Sequence, residues 1–316
     1  MNTVQQSIQH VAGMHDLAGL IGPILTTAKR LQQAKRSPRL LEGKTVLLVF
    51  EKHSTRTRVS FEVGIQKLGG TVVSLDAATS QMGRGESIED TAKVLSRYAD
   101  CIVYRANSHA NLEAMAAHAT VPVINALTDL EHPCQILADW MALDAAAKGL
   151  AGKTFSYIGD GNNLCHSYLL GAPLVGMNVR IACPAGYGPE PNMVALAKQL
   201  AKRAGTSVHV GTEPPVAVQG AHAVATDTWI SMGDEAEENA RLAAFAGYTV
   251  DDALLDQARP GAFFMHCLPG HWGHEATHAV AHGPRSLIYE EAENRMWAQM
   301  ALLVHLLVGD PGLPAA

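Results

Sequence analysis

Residues 44–68, KTVLLVFEKHSTRTRVSFEVGIQKL, decide the fold. Lys44–Phe50 is a short, nearly unbroken apolar run, the pattern of a strand buried on both faces of a parallel sheet. Phe61, Ile65 and Leu68 then recur at helical spacing. Between them lies a polar turn, Glu51–Arg58. A strand that feeds a helix in this way opens a βαβ unit.

The same alternation extends along the chain. Short apolar runs follow at Thr71–Leu75, Cys101–Tyr104 and Val121–Asn125, separated by helical segments such as Ile88–Ala99 and Asn111–His118. In the second half they are Thr154–Ile158, Val179–Cys183, Val208–Val210, Ala223–Thr226 and Ala262–His266. The pattern predicts an α/β protein with two parallel-sheet domains. Ile136–Ala147 is predicted as a long helix, and the small-residue stretch Lys148–Lys153 after it places the boundary, giving domains 1–147 and 148–316. Tyr289–Val308 is predicted as a helix, acidic at its start, where carboxylates suit the macrodipole, and apolar thereafter. No strand follows it, so it is expected to pack back on the first domain.

A chain of 316 residues exceeds the usual size of one core, and two domains create an interdomain cleft in which an active site is expected. With 47 % hydrophobic and 17 % charged residues, the chain has ample core material and no compositional case for disorder. Its net charge of −6 argues against broad binding to nucleic acid or anionic membranes and leaves small molecules as the expected partners. Cys101, Cys134, Cys165, Cys183 and Cys267 are scattered and odd in number, unlike a disulfide framework. Met1–Gln6 lacks the basic start and apolar run of a secretion signal, and the apolar run Met300–Val308 is too short to span a bilayer. A cytoplasmic location is expected.

Polar clusters follow directly after predicted strands, where open α/β sheets bind ligands. Ser54, Thr55, Arg56 and Thr57 combine hydroxyls and helix-start N–H groups with an arginine fork, a combination suited to phosphate, although a plain N-cap with solvated arginines has the same composition. Arg105 and His132-Pro133-Cys134-Gln135 follow the next strands. Beside Arg56 and Arg105, His132 is a candidate donor to a carbonyl or phosphate oxygen.

In the second half, Gly159-Asp160-Gly161-Asn162-Asn163 begins like a dinucleotide fingerprint, but Leu164 stands where the third glycine belongs. Asp227 and Asn163 are candidates to hold the ammonium and carboxylate of an amino acid; loop punctuation explains Asp227–Gly233 equally simply. Cys267, in His266-Cys267-Leu268-Pro269, has three readings: nucleophile, metal ligand or, most commonly, buried thiol. His271, His274 and His278 raise the question of zinc, but lack the paired spacing of established zinc motifs.

In this order, the clusters resemble the aspartate/ornithine carbamoyltransferase family over essentially the whole chain. Ser54-Thr55-Arg56-Thr57 is similar to its carbamoyl-phosphate signature, and His132-Pro133-Cys134-Gln135 to its second element. Asp227-x-Trp229-x-Ser231-Met232-Gly233 and His266-Cys267-Leu268-Pro269 are similar to the features of its ornithine branch. The resemblance implies direct carbamoyl transfer from carbamoyl phosphate to the side-chain amine of ornithine, within arginine metabolism and amino-acid biosynthesis, with no cofactor and no metal. It implies that carbamoyl phosphate is bound by Ser54, Thr55, Arg56, Thr57, Arg105, His132, Pro133, Cys134, Gln135 and Arg295. Gln81, in Ser80-Gln81-Met82-Gly83, would reach that ligand from a neighbouring subunit of a homotrimer. Asn163, Asp227, Ser231 and Met232 would hold ornithine, with Cys267 and Leu268 lining the point where the substrates meet. Transfer to acetylornithine or putrescine is the nearest alternative, and an NAD-dependent Rossmann oxidoreductase a more distant one.

The attacking amine has a reference pKa of about 10.4 and must lose a proton before it attacks. Asp227 and Cys267 are the candidates to orient it and take the proton, and which of them is the base stays open. Arg56, Arg105 and His132 are expected to polarise the carbonyl and stabilise the departing phosphate. The Ser231-Met232-Gly233 loop is expected to close over ornithine.

Overall fold

The computed structural model describes residues 9–230 and 237–313. The chain forms two compact units, one running up to Cys134 and resuming at Arg295, the other from Gln135 to Asn294.

The first unit contains α1 (Ile21–Gln33), β1 (Thr45–Phe50), α2 (Arg56–Lys67), β2 (Thr71–Asp76), α3 (Ile88–Leu95), β3 (Cys101–Arg105), α4 (His109–His118) and β4 (Val123–Leu127). Its strands pair in parallel in the order β2-β1-β3-β4. Central β1 and β3 are buried almost throughout, which explains their unbroken apolar sequences; β2 at the edge keeps half its side chains exposed. Phe50 pairs with Arg105, so the turn after β1 and the Arg105 side chain leave the sheet side by side at its carboxyl edge.

α5 (Pro133–Ala147) follows, then β5 (Thr154–Ile158), α6 (Asn163–Leu174), β6 (Asn178–Ala182), α7 (Pro191–Ala204), β7 (Val208–Gly211), α8 (Pro214–Val218) and β8 (Ala223–Thr226). After them come α9 (Glu238–Ala244), α10 (Asp252–Leu255), β9 (Phe263–His266), α11 (His278–Ala281) and α12 (Ile288–Leu307). The second sheet is also parallel, ordered β7-β6-β5-β8-β9. Asp227 and Cys267 therefore emerge from adjacent strand ends, because Thr226 pairs with His266.

Two of the differences from the sequence reading, the division of the units and the bounds of β4, have a plain physical cause. By spatial packing the units divide at Cys134/Gln135, where the sequence reading set the boundary at 147/148, because α5 packs with the second sheet: Trp140 meets Phe155 edge-on at 5.0 Å and Tyr168 at 5.5 Å. Truncating a tryptophan buried in this way costs about 3–5 kcal/mol. β4 starts at Val123 and runs to Leu127, two residues later than expected, since Pro122 has no N–H for the ladder and Leu127 still pairs with Arg105 past an irregularity.

From Arg295 onward, α12 belongs to the first unit. Arg295 Nη2 donates to Thr57 Oγ1 at 2.6 Å, and Lys67 lies over the Trp297 ring. Gly64 on α2 makes room for this packing, because a Cβ there would meet Met300 Cγ at 2.8 Å. Among the described residues, no helix is long and apolar enough to cross a membrane.

Candidate active site

In the first unit, Arg56 is the first residue of α2 and Thr55 its N-cap, whose side chain makes no capping bond. The helix start read from Ser54–Thr57 is thus in place, ahead of the apolar Phe61, Ile65 and Leu68, and the cap side chain does not take its first-turn N–H groups. Arg105 Nη1 donates to Ser54 Oγ at 3.2 Å and to Thr57 Oγ1 at 3.4 Å. With the Arg295 bond, the buried Thr57 hydroxyl thus accepts from two guanidinium groups. His132, buried just ahead of α5, is held well below the ordinary imidazole pKa by burial and then by the charges of Arg295, Arg105 and Arg56. It is neutral at pH 7, able to offer one donor without adding charge. Three arginines around a neutral histidine make a local surface for an oxyanion.

A pocket of about 330 Å³ opens beside this group, lined by Lys52, His53, Ser54, Thr55, Arg58 and Asp76 among others. Lys52 and Arg58 were not singled out by sequence; only their place in the polar turn marked them. Cys134 Sγ instead turns inward, donating to the Asn125 carbonyl at 3.3 Å, and burial pushes its thiol up to about 12. Gln81 is exposed and precedes a short 3-10 turn, Met82–Arg84.

In the second unit, Asp227 and Cys267 meet. Cys267 Sγ donates to Asp227 Oδ1 at 3.1 Å, the Thr228 N–H donates to the same oxygen at 2.8 Å, and Asn162 Nδ2 donates to Oδ2 at 2.9 Å. Enclosure, followed by the Asp227 charge, holds the Cys267 thiol well above its ordinary pKa. Asn162 was missed by sequence. It is the N-cap of α6, accepting from the Leu164 and Cys165 N–H groups, and an asparagine before a helix reads as a cap until the strand end beside it is known. Asn163 follows it as the first residue of α6, and Gln135 Nε2 donates to Asp139 Oδ1 at 2.8 Å. Leu268 holds φ +58°, a rare conformation for a residue with a side chain, before a cis peptide to Pro269. Ser231 and Met232 lie outside the described residues.

Among the described residues, the side chains close enough to share a metal are Asp227, His266 and Cys267, not His271, His274 and His278. Hydrogen bonding accounts for their approach: both Asp227 oxygens accept from protein donors, and His266 Nδ1 accepts from the Leu268 N–H. The glycine that suggested a dinucleotide fingerprint has a packing reason. A Cβ on Gly161 would lie 2.2 Å from the Gly188 carbonyl carbon and 2.3 Å from the Pro189 nitrogen.

Both units match sequence models of one family. Residues 9–145 match the carbamoyl-P binding domain of the aspartate/ornithine carbamoyltransferases, and residues 151–306 match their Asp/Orn binding domain. The chain is 47 % identical to ornithine carbamoyltransferase from Methanoculleus marisnigri, with 94 % of each chain covered. It is 49 % identical to the Acidothermus cellulolyticus enzyme of that name, covering 92 % of this chain and 94 % of the relative. The solved structure of ornithine carbamoyltransferase from Pyrococcus furiosus superposes with a TM-score of 0.91 at 43 % identity, covering 96 % of this chain and 97 % of that one. Likeness of this depth, through both units and in the order of the polar strand ends, means that the chain belongs to the aspartate/ornithine carbamoyltransferase family.

Proposed function

We propose that the chain transfers the carbamoyl group of carbamoyl phosphate to the side-chain amine of L-ornithine, yielding L-citrulline and phosphate. The observation that carries this reading is the Asp227–Cys267 pair at adjacent strand ends, in a chain whose curated relatives are ornithine carbamoyltransferases. Carbamoyl phosphate is bound by Ser54, Thr55, Arg56, Thr57, Arg105, His132, Gln135 and Arg295, with the main chain of Pro133 and Cys134. The arginines take the phosphate, and His132, supported as neutral by its surroundings, donates to the carbonyl oxygen.

Asn163, Asp227, Ser231 and Met232 hold ornithine. Cys267 keeps its thiol proton and donates it to the Asp227 carboxylate, and the two together orient the ornithine side-chain amine, which must lose a proton before it attacks. The free amine attacks the carbamoyl carbon, phosphate departs, and Cys267 and Leu268 line the point of transfer. The chemistry calls for no cofactor.

The enzyme is cytoplasmic, and its five cysteines are free. It works in arginine metabolism as a homotrimer, to which the exposed Gln81 contributes across a subunit interface. Citrulline formation from carbamoyl phosphate, with ornithine compared against acetylornithine, succinylornithine, putrescine and aspartate, tests the assignment. Ornithine is expected to be preferred, and comparable turnover of acetylornithine or putrescine would overturn that choice of acceptor.

A further inference from the structure

Two acids that the transfer chemistry leaves unused, Asp139 on α5 and Glu291 on α12, are completely buried in the second unit. Their carboxyl groups are hydrogen-bonded to each other. Burial and the neighbouring Asp139 charge hold Glu291 well above the usual carboxyl range. Two carboxyls can bond only through a proton on one of them, and since both Asp139 oxygens already accept from Gln135 and Tyr168, Glu291 is the donor.

Each acid also holds something else. Asp139 accepts from Gln135 Nε2 at 2.8 Å and from the Tyr168 hydroxyl at 2.6 Å. Glu291 Oε2 accepts the His266 backbone N–H at 3.0 Å. The His266 ring then accepts the Leu268 N–H on Nδ1 at 2.9 Å, and its Nε2 lies 3.3 Å from Glu275. The main chain is thereby tied on both sides of Cys267, where the left-handed Leu268 backbone is otherwise costly. Well-packed apolar residues in place of a buried polar pair are often neutral or stabilising, so stability is a poor reason for these acids to be here.

Resting on the carbamoyl-transfer reading, we propose that Asp139 and Glu291 are positioning residues, one hydrogen-bonded pair that fixes both the Gln135 amide and the strand end bearing Cys267. Gln135 serves carbamoyl phosphate and Cys267 serves the attacking amine. A single rigid pair sets them in register.

Glu291→Leu fills the volume but removes both the acceptor of the His266 N–H and the donor to Asp139, whereas Glu291→Gln keeps both. In the folded leucine variant kcat should fall on the order of 10²-fold, the scale of a misplacement of about 1 Å, with the glutamine variant within about threefold of native. A second readout does not depend on turnover: alkylation of Cys267 by iodoacetamide, since the other four cysteines are buried. It should be severalfold faster in the leucine variant and native in the glutamine variant.

Asp139→Asn keeps the size but offers one oxygen where Gln135 and Tyr168 need two, so the Gln135 amide is reversed or released. The KM for carbamoyl phosphate should rise about tenfold or more while that for ornithine stays near native. This variant carries the test if Glu291→Leu does not fold. Native kcat and alkylation in folded Glu291→Leu, equal losses in the leucine and glutamine variants, or an unchanged carbamoyl-phosphate KM in Asp139→Asn would overturn the proposal. Failure of the native chain to make citrulline would overturn the transferase reading instead, and the alkylation comparison would still decide the positioning claim.

Discussion

Glu131, next to His132, offers a sharp test of the electrostatics of the first unit. It is 3 % exposed, and its Oε2 accepts the Met14 N–H at 2.8 Å. Burial outweighs that bond and the nearby His15, raising the carboxyl from 4.5 to about 7. The folded chain therefore keeps the proton to about pH 7, while the unfolded chain loses it near 4.5. The stability tied to this group is complete below pH 4.5, declines as only the unfolded state ionises, and is lost above about 7. The interval, 7 − 4.5 = 2.5 in pH, corresponds at about 1.36 kcal/mol per pH unit to about 3 kcal/mol.

Glu131→Gln keeps an acceptor for Met14 and cannot ionise. Between about pH 4.5 and 8 the unfolding free energy of the variant, measured against native, should shift in its favour by about 3 kcal/mol. Urea unfolding followed by tryptophan fluorescence at a series of pH values measures this difference, in which titrations common to both chains, such as those of His15 and Asp16, largely cancel. A difference that does not change with pH would refute the claim that Glu131 is buried as a protonated acid. A change of opposite sign would mean that it is held ionised.

Cys267→Ala removes the thiol that donates to Asp227, and kcat/KM for ornithine should fall about tenfold, the worth of roughly 1.4 kcal/mol, with carbamoyl-phosphate affinity unchanged in calorimetry. Full activity would make Cys267 a packing residue. If the proposed homotrimer shares its sites, Arg56→Ala and Gln81→Ala chains should each be nearly inactive alone, but unfolded together in equal amounts and reassembled they should regain activity towards about one quarter of a refolded native control. Demonstrated mixing without recovery would return Gln81 to the surface of its own subunit. Gly161→Ala places a methyl group against the Gly188 and Pro189 backbone and should lower unfolding free energy by about 1–3 kcal/mol in denaturant titration; native stability would show that this loop yields freely.

Legibility in the sequence followed burial. Strands β1 and β3, covered on both faces, have unbroken apolar runs and were found to within a residue or two. The polar strand ends were legible because Ser54, Arg56, Asp227 and Cys267 interrupt such runs. What escaped depends on tertiary contact. Asp139 read as a solvent-facing acid in a helix, and Glu291 as part of an acidic helix start; that both are buried, and bonded to each other, follows only from folding α5 and α12 together. Asn162 looked like punctuation because its capping bonds are local, while its bond to Asp227 spans 65 residues. At the start of α2 the sequence left a plain N-cap equally open, because only the fold brings its first turn to Arg105 and Arg295.

The first unit is discontinuous, and this bears on how the chain folds during synthesis. Thr57 leaves the ribosome early, yet Arg295, which donates to its hydroxyl, lies 238 residues later. At about 5–20 residues per second, all of the second unit is made in the interval, a wait on the order of 10–50 s. Gln135–Asn294 is continuous and can close its sheet as soon as it emerges. The half translated first is thus completed last: until α12 arrives, α2 exposes the face around Gly64 that Met300 will cover, and Arg105 stands beside a Thr57 that still lacks its second guanidinium. A stop codon at position 295 would cut α12 after its first seven residues and would take from the first unit both the guanidinium that bonds Thr57 and the methionine that covers Gly64.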